Sequence, residues 1–209
     1  MTNVLGEAVS RVENREHLGK PALVAIAGRT YDTTVEDLWA ALTTPERLAR
    51  WFLPVEGDLE PGGRYRLEGN ASGTIDHCEP PRALDLTWEA GPRTSWVRVR
   101  LAPDGERARL TLEHIAHRDA VGEEFLAQFG PGAVGIGWDL ALRGLELHLA
   151  DPESALDRAE AEAWVQSPEG NAFVRASGEA WGAAHAESGE DPAEAQAKAE
   201  RTIGFYTGG

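Results

Sequence analysis

The chain has 209 residues and a mass of 22.6 kDa, the size of one ordinary domain with an extension or of two very small ones. Twenty basic against 35 acidic residues leave a formal charge of −15, which repels phosphate backbones and anionic bilayers, so nucleic-acid and membrane partners are excluded. A single cysteine, Cys78, rules out a disulfide framework and a multi-cysteine zinc site.

The first segment, Met1 to Lys20, is polar, with Glu7, Arg11, Glu13, Arg15, Glu16 and His17. It has no apolar core of signal-peptide length, and no later stretch has the length of a membrane span, so a cytoplasmic protein is expected. Pro21 to Asp32 reads as a first strand, apolar from Leu23 to Ala27. Val35, Leu38, Trp39 and Leu42 form the stripe of a half-buried helix. Its cap is expected among Asp32, Thr33 and Thr34, with Glu36 at capping-box spacing from Thr33. Thr44-Pro45-Glu46 starts a second short helix, which Pro54 stops.

From Val55 to Asp119 the period is two. Leu84, Leu86 and Trp88 alternate with Asp85, Thr87 and Glu89; Val97, Val99 and Leu101 with Trp96, Arg98 and Arg100; Leu110, Leu112 and His114 with Arg109, Thr111 and Glu113. Turns fall at Pro61-Gly62-Gly63, Gly91-Pro92 and Pro103-Asp104-Gly105. These are short antiparallel strands with one dry and one wet face. The helical period returns at Trp138 to Leu149, with Trp138, Leu142, Leu145 and Leu149 on one side and Leu140 and Leu147 on the other. A helix apolar on two sides needs cover on both. The sheet supplies one; the C-terminal extension or a second subunit must supply the other.

Residues 151–209 carry 12 acids and 4 bases, counted along the sequence. Asp151-Pro152, Ser167-Pro168 and Asp191-Pro192 each read as an N-cap followed by proline in the first turn. Phe173, Ser177, Ala180, Trp181 and Ala184 mark one helix; Ala195, Ala199 and Ile203 mark a second, ending at Gly204. The expected division is an N-terminal segment 1–20, an α+β domain 21–150 and an acidic helical extension 151–209, packed on the domain or at a homodimer interface.

A set of motifs resembles a known family: Tyr31-Asp32 before Val35-Glu36-Asp37-Leu38-Trp39, Leu42-Thr43-Thr44-Pro45-Glu46-Arg47-Leu48, Arg50-Trp51-Phe52, Gly62-Gly63, Cys78-Glu79-Pro80-Pro81, Leu86-Thr87-Trp88-Glu89, Leu112-Glu113-His114, and Gly137-Trp138 followed by Leu142 and Leu145. Over residues 21 to 150 the chain is similar to the SRPBCC superfamily (START and Bet v 1-like), in the branch named for the activator of Hsp90 ATPase. The resemblance implies a helix-grip fold, a curved antiparallel sheet of about six strands wrapped around one long helix, with a cavity between them. It implies no single activity, because this fold hosts lipid carriers, cyclases, hydrolases and chaperone activators.

Each chemical motif has a plain alternative. The run Gly130 to Gly137 precedes a helix but lacks the Gly-Lys-Ser/Thr ending of a phosphate loop, so a loop bordering the cavity mouth is expected. His77, His114 and His117 do not converge by spacing, so no metal and no cofactor is expected. Cys78 reads as a structural thiol, and Gly-x-Ser-x-Gly is absent. Asp85, Glu89 and Glu113 read as cross-strand partners of arginines. His148 reads as a partner of its helix's C-terminal dipole. Most of the seven tryptophans are expected in the core. The cavity lining is expected to be Trp88, Leu110, Leu112, His114, Trp138, Leu142 and Leu145. No catalytic residue is assigned. The leading function is binding of a small hydrophobic or aromatic ligand. One alternative is a polyketide cyclase- or hydrolase-like enzyme using a pocket histidine or carboxylate as general base. The other is a chaperone- or stress-related interaction module.

Overall fold

The computed structural model describes residues 5, 7–91, 93–121 and 123–208; Pro92 of the expected Gly91-Pro92 turn, and part of the segment 1–20, lie outside them. The strands are β1 (Val9–His17), β2 (Lys20–Tyr31), β3 (Val55–Gly57), β4 (Arg64–Leu67), β5 (Ser72–Glu79), β6 (Ala83–Ala90), β7 (Arg93–Asp104) and β8 (Arg107–His117). The helices are α1 (Val35–Thr43), α2 (Pro45–Trp51), α3 (Arg118–Val121), α4 (Glu123–Phe129), α5 (Gly132–Ala150), α6 (Arg158–Val165), α7 (Pro168–Glu187) and α8 (Pro192–Thr207). The strands form one curved antiparallel sheet in the order β1-β2-β8-β7-β6-β5-β4-β3. This is an α+β, helix-grip-like fold with eight strands among the described residues rather than about six.

β1 was not expected. Its residues Arg11, Glu13 and Arg15 lie on one side and form a ladder of ion pairs, 3.7 and 3.2 Å, and only Val12 is buried. A charged edge strand has no apolar alternation to read. Leu18 and Gly19, both at positive φ, make the two-residue turn into β2. The short helices α3 and α4 were likewise unexpected.

The chain divides into two compact units. The first comprises Gly28–Ala116 and Ala141–Leu156. Here the Thr34 hydroxyl caps α1 by accepting from the Asp37 amide at 3.2 Å. Thr33 donates to the Asp37 carboxylate at 2.7 Å, so the reciprocal partner is Asp37, not Glu36. Thr44 and Pro45 start α2 as read, without a side-chain cap bond. In the strands, Leu84, Val99 and Leu112 lie in register on one face, as do Leu86, Val97 and His114; Asp85, Arg98 and Glu113 share the other. Asp85 pairs there with Arg98 and Arg100.

The second unit comprises Met1–Ala27, His117–Leu140 and Asp157–Gly209. Ser167 and Asp191 cap α7 and α8 as read. Asp151-Pro152 starts no helix; residues 151–157 are irregular and Asp157 caps α6. α8 continues through Gly204 to Thr207 and stops at Gly208, whose φ is 75°. α7 buries Phe173, Ser177, Trp181 and Ala184.

The glycine run corrects a second expectation. From Gly132 it is helix, not loop. A Cβ on Gly135 would lie 2.3 Å from the Trp181 ring, so the indole rests on bare α5 backbone. Trp181 Nε1 donates to the buried Asp139 carboxylate at 3.0 Å, and the Ser177 hydroxyl donates to the same oxygen. The tail thus covers the Gly135–Asp139 side of α5. Leu140 is half-buried and Leu147 is 46% exposed. A hydrophobic stripe misses this side because glycine registers as blank, yet glycine permits the closest approach.

Among the described residues, no helix is long and apolar enough to cross a membrane.

At an exposed helical site, Gly→Ala stabilises by about 1 kcal/mol. Gly135→Ala is expected to do the opposite and cost about 1–3 kcal/mol through overpacking against Trp181. Leu147→Ala should stay within about 0.5 kcal/mol of wild type. Urea-unfolding midpoints measure both.

Candidate functional site: a half-buried apolar band

Within the first unit, Leu53, Tyr65, Leu67 and Ile75 form a buried base. Against it pack Leu48 and Phe52 of the α2 region, Val55, Cys78, and Leu84, Leu86 and Trp88 of β6, all only half-buried. Neighbouring strands contrast with this. Val97, Val99, Leu110 and Leu112 on the same face are sealed, at 0–7% exposure. Apolar surface that the core leaves within reach of solvent is where an apolar ligand gains most.

Of the expected lining, the structure brings Trp88 and His114 together, their rings edge to face at 6.3 Å. Leu110 and Leu112 lie on the same face as His114 but are core residues. Leu142 and Leu145, on the half of α5 in this unit, are also fully buried; the Tyr31 hydroxyl donates to the Leu142 carbonyl at 3.1 Å. Trp138 is half-buried and belongs to the other unit. Leu84 and Leu86 were legible as companions of Trp88, and Leu48 and Phe52 as an i, i+4 pair, but neither pair was singled out. Only Trp51 and Trp181 among the tryptophans are fully buried; the other five are half-buried, since a ring this large often reaches the surface.

His114 Nε2 lies 2.9 Å from the Ser95 hydroxyl, which donates its one proton to the Trp88 carbonyl at 3.1 Å. Nε2 therefore donates to Ser95, and the ring is the neutral Nε2–H tautomer. Burial pushes its pKa down to about 4. At neutral pH it is an uncharged hydrogen-bonding group. Burial raises the pKa of the Cys78 thiol, which keeps it protonated and unreactive. None of the band's named side chains is charged at neutral pH.

Outside the band, His148 is buried at the other side of α2. Arg47 Nε donates to its Nε2 at 3.2 Å, so its partner is a side chain rather than the helix dipole. His77 lies 3.9 Å from Glu79 on the exposed side of β5. Among the described residues, no three His, Cys, Asp or Glu side chains converge. An open polar depression of about 330 Å³ lies at the β4–β5 turn, lined by Arg66, Asn70, Ser72 and Glu89. Its charges are already paired, Arg66 with Glu56 and Glu89 with Arg64.

His114 sets a pH dependence. Unfolded, a histidine protonates near pH 6.5; folded, His114 does so only near 4. Between these values the unfolded state binds more protons, so stability falls as pH falls, by roughly 3 kcal/mol over the window. His114→Gln should lose less stability than wild type between pH 7.5 and 4.5. Burial also holds His148 and His185 low, and both remain in the variant, so the difference isolates His114. Paired urea titrations at the two pH values measure it.

The family described as Activator of Hsp90 ATPase homolog 1-like protein matches residues 32–150. CalU16 from Micromonospora echinospora is 33% identical; its crystal structure aligns over 85% of this chain and 97% of that one with a TM-score of 0.66. Its solution structure aligns over 87% and 96% with a TM-score of 0.67. That likeness therefore runs beyond residues 32–150. PFC0360w, an HSP90 activator from Plasmodium falciparum, is 20% identical over 61% of this chain and 96% of that one, with a TM-score of 0.53, a likeness of fold alone. No curated protein matches the chain.

Proposed function

The chain belongs to the activator of Hsp90 ATPase homolog 1-like family, and we propose that it acts in the cytoplasm by binding a small, uncharged apolar or aromatic molecule on the band of β6. One observation carries this reading: Leu84, Leu86 and Trp88, with Leu48 and Phe52, stay half-buried beside a sealed core. A ligand hiding roughly 200 Å² of such surface gains about 5 kcal/mol from water exclusion. A charged ligand would lose its hydration without a countercharge on the band.

Ser95 and His114 have the spacing of a nucleophile and its base. The serine proton, however, points to the Trp88 carbonyl, and a base with a pKa near 4 is poorly matched to neutral pH. Binding without chemistry fits better than a hydrolase. A separate feature favours an interaction role for the second unit. Phe125, Phe129, Phe205 and Tyr206 form a chain of rings 5.3–5.7 Å apart, with Phe205 70% exposed. A second copy of this chain is one partner such a patch admits.

Titration with the uncharged fluorophore N-phenyl-1-naphthylamine tests the band. Wild type is expected to bind it, and Leu86→Asn and Trp88→Ala to bind about tenfold more weakly, a loss of about 1.4 kcal/mol. Equal affinity in folded variants would remove the proposal. Native against denaturing mass spectrometry reads any co-purified ligand and separates a monomer from a dimer.

A further inference from the structure

α2 has two working sides. Toward the band its region presents Leu48 and Phe52. Toward α5 it is held by backbone and side chain. A Cβ on Gly144 would lie 2.9 Å from the Trp51 carbonyl oxygen, so the end of α2 rests on bare α5 backbone. Beyond α5, Arg50 donates to the Pro152 carbonyl and its own carbonyl accepts from the Leu156 amide at 2.7 Å. Between these lies the bond from Arg47 Nε to His148 Nε2.

Only that bond depends on a proton. Nε2 accepts from Arg47 only while the imidazole is neutral, which puts its one proton on Nδ1. Nδ1 is buried and has no hydrogen-bond partner among the described residues. An unmet buried donor makes the closed arrangement shallow. The charges acting on His148 are Arg47 and Arg50 from α2 and Asp37 from α1. Asp37 is engaged by Arg47 at 2.7 Å and by Thr33, and Glu153 just after α5 pairs with Arg50 at 3.6 Å. Asp37 favours an imidazolium from a distance, but its carboxylate is already held by Arg47 and Thr33. Burial, then the two guanidinium groups, hold the His148 pKa below its ordinary value, against the pull of Asp37.

We propose that His148 is an acid-sensitive clasp on α2: protonation of Nε2 ejects Arg47, loosens α2 on α5 and shifts Leu48 and Phe52, the α2 side of the apolar band. The part concerning the band rests on the ligand reading above. The clasp itself does not. Opening lets His148 recover its ordinary proton affinity, so each pKa unit withheld in the closed state shifts the opening equilibrium about tenfold in acid.

Hydrogen exchange on the full chain reads this directly. Protection of the α2 amides from Leu48 to Phe52, corrected for intrinsic exchange rates, is measured at pH 7.5 and 5.5, with β7 and β8 amides as internal reference. Wild type is expected to lose protection at pH 5.5 in α2, by no more than about tenfold for a histidine whose ordinary pKa is near 6.5, and not in the reference strands. His148→Gln, whose side-chain carbonyl accepts from Arg47 at either pH, should keep α2 protected. Gly144→Ala, which pushes the Trp51 carbonyl away, should leave α2 open at both. Unchanged α2 protection in wild type, or the same pH response in His148→Gln, would overturn the clasp. N-phenyl-1-naphthylamine affinity is followed in parallel. Opening of α2 without binding of the fluorophore at any pH would keep the clasp and sink the ligand reading. Binding that ignores α2 opening would overturn the claim that the clasp governs the band.

Discussion

Two glycines of α5 let neighbouring groups reach the backbone of that helix. At Gly135 the neighbour is the Trp181 indole of α7; at Gly144 it is the Trp51 carbonyl at the end of α2. Each glycine costs about 1 kcal/mol relative to alanine in a helix. Trp181 is 1% exposed, and burying about 200 Å² of indole is worth roughly 5 kcal/mol by area. The packing wins, which is why a stretch with four glycines between Gly130 and Gly137 holds a helix from Gly132 onward.

The same approach explains a carboxylate in the core. Asp139 is fully buried and accepts from Trp181 Nε1 and the Ser177 hydroxyl. A buried carboxylate is costly without such donors. Ser177 and Trp181 are four residues apart on one face of α7, so both reach Asp139 only in one register. The glycine contact stabilises the packing of α7 on this part of α5. The polar cluster selects which way it packs.

Where one neighbour fixed the structure, the sequence was readable. β6, β7 and β8 follow strict alternation, and the caps at Ser167-Pro168 and Asp191-Pro192 hold because oxygen and ring both favour a helix start. Asp151-Pro152 carries the same signal without a helix, since the Pro152 carbonyl and Leu156 amide are committed to Arg50. Alternation put Trp88 and His114 on the apolar faces of their strands, and the register through β7 brings them together. The half-exposure of Leu84 and Leu86 was not, because a strand's own pattern says which face is apolar but not what lies over it. The covered side of α5 was misjudged for the converse reason: its contacts with Trp181 are made by a glycine and a polar residue, Gly135 and Asp139, which add nothing to an apolar stripe.

His114 and His148 show how placement decides what a proton does. Both are buried and neutral, with pKa values held down chiefly by burial. His114 sits in the β7–β8 ladder, in register with Val97, where no small movement exposes it. Its protonation therefore draws on the stability of the whole sheet. His148 faces a seven-residue helix whose other ties, the Trp51 indole on the Ala41 carbonyl among them, do not depend on a proton. Opening that helix costs less than unfolding the sheet, so a proton there is accommodated locally. Acid then reaches α2 before it reaches the core, and the α2 side of the band shifts while the strands that form the rest stay intact.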